Sequence, residues 1–148
     1  MKTLFLFLLL ISCQCLVYAQ NNADEILGKW MSVQNNCMVD VYKNGQEYRA
    51  KIIWFDDSDD PSRPMNERLD IENPDKKLRS QKILGSNVLK ELIYNYKNKV
   101  WKNGYVYDAT SGRTWNASVW LLADGTLKVR GYWHFQFLGQ NLFFKRVN

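Results

Sequence analysis

The alternation of apolar and polar residues is clearest in the segment 101–133, where it predicts three consecutive β-strands. Every second residue from Trp115 to Leu121 is apolar, and the alternation resumes over 127–130. A period of two residues places one face of a sheet in a core and the other face in water. Asp124-Gly125 separates the two runs, and Asp-Gly is a strong hairpin signal because both residues tolerate positive φ.

The rest of the chain repeats this pattern with short connections. Further strands are predicted at Ile26–Val33, Met38–Tyr42, Tyr48–Trp54, Ile83–Tyr94 and Leu142–Val147. About eight strands with short links favour antiparallel up-and-down order, and closure into a barrel removes the exposed strand edges. A barrel of this size is wide enough to be packed or to hold one small ligand.

One segment, Phe55–Lys82, interrupts the strands. It holds all three prolines and shows little periodicity. A connection of this length is usually a functional lid or a packed Ω-loop. Asn73 as a helix cap, followed by Pro74 at the first helical position, predicts one short helical turn inside it. We expect this insertion to lie across one mouth of the barrel.

The N-terminus predicts export. An unbroken apolar run from Leu4 to Ile11 precedes Val17-Tyr18-Ala19, which carries small residues at the positions that a signal peptidase recognises. Such a run is too short to remain in a membrane as a spanning helix. Residues 1–19 are therefore interpreted as a signal peptide and 20–148 as one domain, periplasmic or secreted. Lipoprotein anchoring at Cys13 is the alternative.

Charge, cysteine number and aromatic content limit the kinds of partner that the protein can bind. The net charge is +5, with acids and bases interspersed, which suits solubility better than nucleic-acid binding. Removal of the signal peptide leaves Cys37 as the single cysteine, so no intramolecular disulfide is expected, and Cys37 is interpreted as a small buried apolar residue. Six Trp and eight Tyr are present, enough to fill a β-core or to line a cavity.

Few residues point to a metal or to catalysis. The acidic run Asp56–Asp60 is the calcium candidate, but Pro61 stands where an EF-hand loop needs Gly. A solvated acidic loop is therefore the interpretation, with a calcium site as the alternative. His134 is the only histidine, and no nucleophile or orienting acid can be assigned to it. We expect no cofactor, no metal and no enzymatic activity.

Aromatic residues supply the candidates for a binding site. Those expected on the apolar side of their strands are Trp54, Trp101, Tyr105, Tyr107, Trp115 and Trp133. They suit a filled barrel and a lined pocket equally well. Arg130 falls on the wet face of its strand, where a solvated or cross-strand role is expected; capture of an anionic ligand head group is the alternative, for Arg130 and for Arg79.

Residues near the two ends of the predicted domain resemble those that close one end of lipocalin-like barrels. Gly28-Lys29-Trp30 lies on the first predicted strand and Arg146 on the last. In such barrels a Gly-x-Trp tryptophan plugs one end, and an arginine from the final strand lies across its ring. A guanidinium over an indole contributes about 0.5–2 kcal/mol. The resemblance assigns a structural role to Gly28, Trp30 and Arg146.

A wider set of motifs extends the resemblance over nearly the whole mature chain. The matching pieces are Gly28-Lys29-Trp30, Lys51-Ile52-Ile53-Trp54, Asn73-Pro74-Asp75, Ile83-Leu84-Gly85, Tyr107-Asp108, the run 124–132 and Leu138-Gly139. Together they are similar to domain-of-unknown-function family 2147, exported bacterial proteins with a lipocalin-like barrel. The chain departs from this family at Ala109, where Pro is common, and at Phe144, where Trp is common. The resemblance carries no catalytic residues to this chain.

The sequence therefore predicts an all-β chain, an eight-stranded antiparallel up-and-down lipocalin-like barrel with one long insertion that carries a short helical turn. The leading functional hypothesis is an exported binding protein whose barrel pocket takes a small apolar or amphiphilic ligand. The alternative is a cell-envelope interaction module with a solid barrel, a protein partner and no ligand.

Overall fold

The computed structural model describes residues 23–135 and 139–148, and their strands close into a barrel. The strands are β1 (Gly28–Ser32), β2 (Cys37–Asn44), β3 (Glu47–Phe55), β4 (Asn87–Asn95), β5 (Val100–Asp108), β6 (Arg113–Leu121), β7 (Leu127–Tyr132) and β8 (Gln140–Arg146). Each strand pairs antiparallel with the next, and β8 returns to β1. The predicted eight-stranded up-and-down barrel is confirmed.

The insertion between β3 and β4 spans 56–86, slightly more than the sequence pattern predicts. Ile83 and Leu84 were expected to begin the fourth strand, but they pack against the core from the insertion instead. The predicted helical turn is the 3₁₀ turn Lys76–Leu78, whose cap is Asp75 rather than Asn73. The Asp75 carboxylate accepts a hydrogen bond from the Lys77 backbone N–H at 3.0 Å, while the Asn73 side chain is used earlier in the loop.

Up-and-down order gives the barrel two different ends. The segment before β1 and the C-terminus of β8 meet at one end, which we call the closed end. The insertion 56–86, the β5–β6 turn and the segment after β7 share the other end, which we call the open end. The largest fully buried side chains lie in the closed half of the barrel or in the segment that precedes β1. They are Trp30, Trp101, Tyr48, Ile26, Leu92, Leu127 and Val119. The closed half of the barrel is therefore solid.

A short segment, residues 23–27, plugs the closed end, and we call it the N-terminal plug. The Trp30 indole donates to the Ile26 carbonyl at 2.8 Å. The Trp101 indole donates to the Ala23 carbonyl at 3.0 Å, and the Tyr48 hydroxyl donates to the Asp24 carboxylate. Each large aromatic thus places its polar atom on the plug, which is how a buried indole or phenol avoids an unpaired donor.

Arg146 covers the plug from the last strand. Its guanidinium lies 4.3 Å from the centre of the Trp30 ring. It also donates to the Leu27 carbonyl at 2.7 Å and to the Glu25 carbonyl. Gly28 makes this approach possible, because its φ is +113° and a Cβ there would lie 3.2 Å from the arginine Nη1. The residues that resembled a lipocalin-like closure are in contact.

A β-bulge in β5 reverses the faces of two predicted cavity residues. Trp101 pairs with Val119 and Gly104 with Ala117, so one extra residue separates the two inward positions. Asn103 takes up this residue with a φ of +63°. A one-residue shift turns every following side chain to the other face. Tyr105 and Tyr107 were expected to face inward and instead lie on the outer face.

A second β-bulge, in β3, turns Trp54 from the predicted inner face to the outer face. Val39 pairs with Ile52 and Met38 with Trp54, so β3 carries an extra residue at this point. Trp54 therefore shares the outer face with Met38, whereas Cys37 and Phe55 pack against the core. Cys37 is partly buried, and this burial raises the pKa of its thiol.

Substitution Arg146→Met should test the arginine cap. The variant keeps the aliphatic stem but loses the contact with the Trp30 ring and leaves two carbonyls without their donor. We expect a loss of about 2 kcal/mol in the free energy of unfolding, measured by urea titration. Lys97→Met, at an exposed turn position of the same end, is the matched control and should change stability by less than about 0.5 kcal/mol. Equal effects of the two substitutions would argue against the cap.

Substitutions at Asn103 should test the bulge. A β-branched residue resists the left-handed backbone at this position, so Asn103→Val should lower the free energy of unfolding by about 1–2 kcal/mol. Asn103→Gly relieves the steric conflict and should leave stability near wild type. The measurement is urea unfolding monitored by tryptophan fluorescence, and a Val variant as stable as the Gly variant would contradict the assignment.

Candidate functional site

An open cleft of about 620 Å³ lies at the open end of the barrel. It lies where β6 begins, between the insertion and the segment that follows β7. Its lining residues are Pro74, Gly112, Arg113, Thr114, Trp115 and Trp133. Two of these, Trp115 and Trp133, are among the aromatic residues that the sequence pattern selects.

The two tryptophans form the apolar wall of the cleft. Their ring centres are 5.9 Å apart and the rings meet edge to face at 78°. Trp115 is partly buried, whereas Trp133 is 60% exposed. The Asn116 side-chain amide donates to the Trp133 carbonyl at 2.6 Å and fixes the position of this residue beside β6. The His134 ring packs edge-on against Trp133 at 5.7 Å.

The inner face of the barrel is accessible from this end. Leu142 on β8 pairs with Val129 on β7, so both side chains point to the same face. Val129 is buried in the core, yet Leu142 is 45% exposed. Leu142 therefore reaches solvent, although its cross-strand partner on the same face does not.

A buried carboxylate anchors the insertion to the barrel wall. Asp70 is only 4% exposed and accepts hydrogen bonds from the Tyr107 hydroxyl and the Asn73 amide, both at 2.7 Å. Burial and the bond to this carboxylate raise the pKa of Tyr107. Tyr107 can reach the insertion only because the β5 bulge turns it outward.

A second contact places Pro74 beside the cleft. Gly112, in the β5–β6 turn, has a φ of +68°, and a Cβ at this position would lie 2.0 Å from the Glu72 carbonyl oxygen. The insertion and the turn therefore touch backbone to backbone. Together with the Tyr107–Asp70 bond, this contact makes one rim of the cleft a fixed wall.

The acidic run encloses an arginine. The Arg68 guanidinium donates to the Asp59 carboxylate at 2.8 Å, to the Asp57 carbonyl at 2.8 Å and to the Asp60 carbonyl at 3.3 Å. A permanently charged guanidinium takes the oxygens that a calcium ion would require. Within residues 23–135 and 139–148, no group of His, Cys, Asp and Glu side chains is arranged to hold a metal ion.

The remaining sequence-selected residues lie away from the cleft. Trp101 lies at the closed end, where its ring is 4.7 Å from that of Tyr94. Arg130 is on the outer face and donates to the Asn141 side chain at 2.8 Å. Arg79 donates to the Asn73 carbonyl at 2.7 Å and stabilises the insertion. Neither arginine lines the cleft.

Sequence reasoning missed Arg113, Thr114 and Pro74 as cleft residues. A signal for Arg113 was present, because it precedes Trp115 by two residues and therefore shares its face. Pro74 carried no such signal, since its position depends on how a long irregular segment folds back on the barrel.

The closed up-and-down barrel and its arginine-covered tryptophan define a lipocalin-like barrel protein. A solved structure is similar over most of its length: "Protein HP1028 from the human pathogen Helicobacter pylori belongs to the lipocalin family". The two share 21% sequence identity and a TM-score of 0.68, with 83% of each chain covered. At this identity the likeness establishes the fold alone.

The chain belongs to the bacterial family described as "Uncharacterized protein conserved in bacteria (DUF2147)", whose model matches residues 28–146. This match runs from the first residue of β1 to the last residue of β8, and it confirms the resemblance seen in the sequence motifs. A search of the curated proteins finds no match. Across the described part of the chain, no helix has the length and apolar character needed to span a membrane.

Substitution Tyr107→Phe should test the anchor of the insertion. It removes the hydroxyl that bonds Asp70 from the barrel wall and leaves a buried carboxylate short of a donor. We expect a loss of about 1–3 kcal/mol in the free energy of unfolding. Tyr105→Phe changes the same atom on the same face of the same strand, at a more exposed position, and should have almost no effect. Proteolysis within 56–86 should accelerate in the Tyr107 variant alone.

Proposed function

We propose that this protein is an exported binding protein that takes one small apolar or amphiphilic ligand in the cleft at the open end. The observation that carries this proposal is the cleft itself, of about 620 Å³ with two tryptophans in its wall. Ligand pockets are typically about 300–1,000 Å³, with mainly apolar and aromatic walls and a few polar groups. The cleft matches this description in size and in lining.

The distribution of core residues favours a ligand at the mouth rather than deep in the barrel. Trp30, Tyr48 and Trp101 are fully buried in the closed half. We therefore place the apolar part of the ligand against Trp115 and Trp133 in the cleft. The other end of the ligand stays at the rim beside Arg113 and Thr114, which favours an amphiphile over a wholly apolar molecule.

The proposal of a binding role rather than catalysis is supported by the lining of the cleft, which consists of an arginine, a threonine, a proline, a glycine and two tryptophans. Catalysis usually needs an acid, base or nucleophile in the pocket.

Export is proposed from the sequence pattern alone, because residues 1–22 lie outside the described part of the chain. Cleavage after Ala19 would release a periplasmic or secreted domain. Expression in a bacterial host should yield a mature protein that begins at Gln20. Recovery of a lipidated form that begins at Cys13 would support the alternative signal.

An envelope interaction module remains the second candidate, because the open end also exposes apolar side chains on its rim. Trp133, Phe135 and Ile71 are 60%, 59% and 55% exposed. Exposed apolar side chains clustered at one end of a domain are typical of interaction surfaces. Crosslinking in the native host separates the two functions, since a single protein partner without any bound small molecule would favour the module.

Ligand binding should follow the length of an alkyl chain. Each buried methylene contributes about 0.8 kcal/mol, so affinity should rise roughly fourfold per methylene across a series of alkyl alcohols until the cleft is full. Isothermal titration calorimetry measures this directly. Trp133→Ala should weaken binding of each alcohol by about fivefold or more, whereas Tyr96→Ala, an exposed aromatic at the closed end, should leave it unchanged. The absence of saturable binding across the series would refute the proposed function.

A further inference from the structure

We propose that the ligand of the cleft is an anionic amphiphile whose head group binds the Arg113 guanidinium. This inference rests on the proposed function and adds the chemical class of the ligand. It depends on two features of the open end: the position of Arg113, and the hydrogen bonds that engage the carboxylate of its cross-strand partner Asp108.

Arg113 stands where a head group would lie. It is the first residue of β6, two residues before Trp115, and both line the cleft. The side chain is exposed, so it lies at the rim, while the tryptophans form the wall beside it. An amphiphile with its apolar part on the indoles therefore brings its polar end to the guanidinium.

The carboxylate that could neutralise Arg113 is bonded elsewhere. Asp108 is the direct cross-strand partner of Arg113. Its oxygens accept from the Thr110 backbone at 2.9 Å and from the Thr110 and Ser111 hydroxyls, both at 2.6 Å. Partial burial opposes its charge, but these hydrogen bonds prevail and lower the pKa of Asp108. The carboxylate therefore closes its own turn, and no ion pair to Arg113 forms within the described residues.

The arginine has the geometry that an anionic head group requires. A guanidinium presents paired N–H donors that match the two oxygens of a carboxylate, or two oxygens of a phosphate or sulfate. The nearby Glu72 contributes its backbone to the Gly112 contact, and its carboxylate repels anions, which limits the preference for an anionic head group. The rim is wet, so the gain from the pair is modest, about fivefold in affinity.

Three ligands with the same alkyl chain and different head charges test the inference: decanoate, decanol and decyltrimethylammonium, titrated below micellar concentrations at neutral pH. Wild-type protein should bind decanoate about fivefold more tightly than decanol and the cation most weakly. The preference should fall as ionic strength rises, because an exposed ion pair is screened by salt.

Arg113→Gln should abolish the difference between decanoate and decanol by weakening decanoate the more, and a urea unfolding curve like that of wild type shows that the variant is folded. Arg130→Gln, on the outer face, is the matched control and should keep the wild-type preference. Equal wild-type affinities for decanoate and decanol would overturn the head-group assignment and leave the proposed function standing. A preference that survives Arg113→Gln would overturn it too, and failure of all three ligands to bind would overturn the proposed function itself.

Discussion

The contact of the Arg146 guanidinium with the Trp30 indole joins the last strand to the first, and the closed end is organised around it. The arginine also binds two carbonyls of the N-terminal plug, so one side chain holds three chain segments together. Gly28 belongs to the same arrangement, because a Cβ at this position would lie 3.2 Å from the Arg146 Nη1 and crowd the guanidinium. This end of the barrel is therefore covered, and the cleft lies at the opposite end.

The two halves of the barrel therefore differ in how their interior is packed. Large aromatic side chains fill the closed half, and each places its polar atom on the plug. At the open end the inner face reaches solvent at Leu142, and the insertion builds one rim of a cleft around Trp115 and Trp133. The packed closed half gives the cleft a rigid support, and under the proposed function this would reduce the ordering cost of binding.

A β-bulge in β5 determines where the insertion docks beside the cleft. The bulge at Asn103 turns Tyr107 outward, and there its hydroxyl holds the buried Asp70 of the insertion. Without this reversal Tyr107 would occupy the barrel interior, and the insertion would lose its anchor beside the cleft. A local irregularity of one residue thus determines both what lines the barrel and where its longest loop docks.

The sequence by itself determined the number of strands and their antiparallel order, because alternation and turn residues are local signals. The Trp30–Arg146 closure was implied by the resemblance of the terminal motifs to lipocalin-like barrels. The sequence also selected Trp115 and Trp133, two aromatic residues that line the cleft. The tertiary structure alone decided which face Trp54, Tyr105 and Tyr107 occupy, since a bulge is set by pairing between strands and not by the pattern within one. It alone decided the position of the insertion and of the cleft, because an irregular segment is positioned by contacts with distant residues.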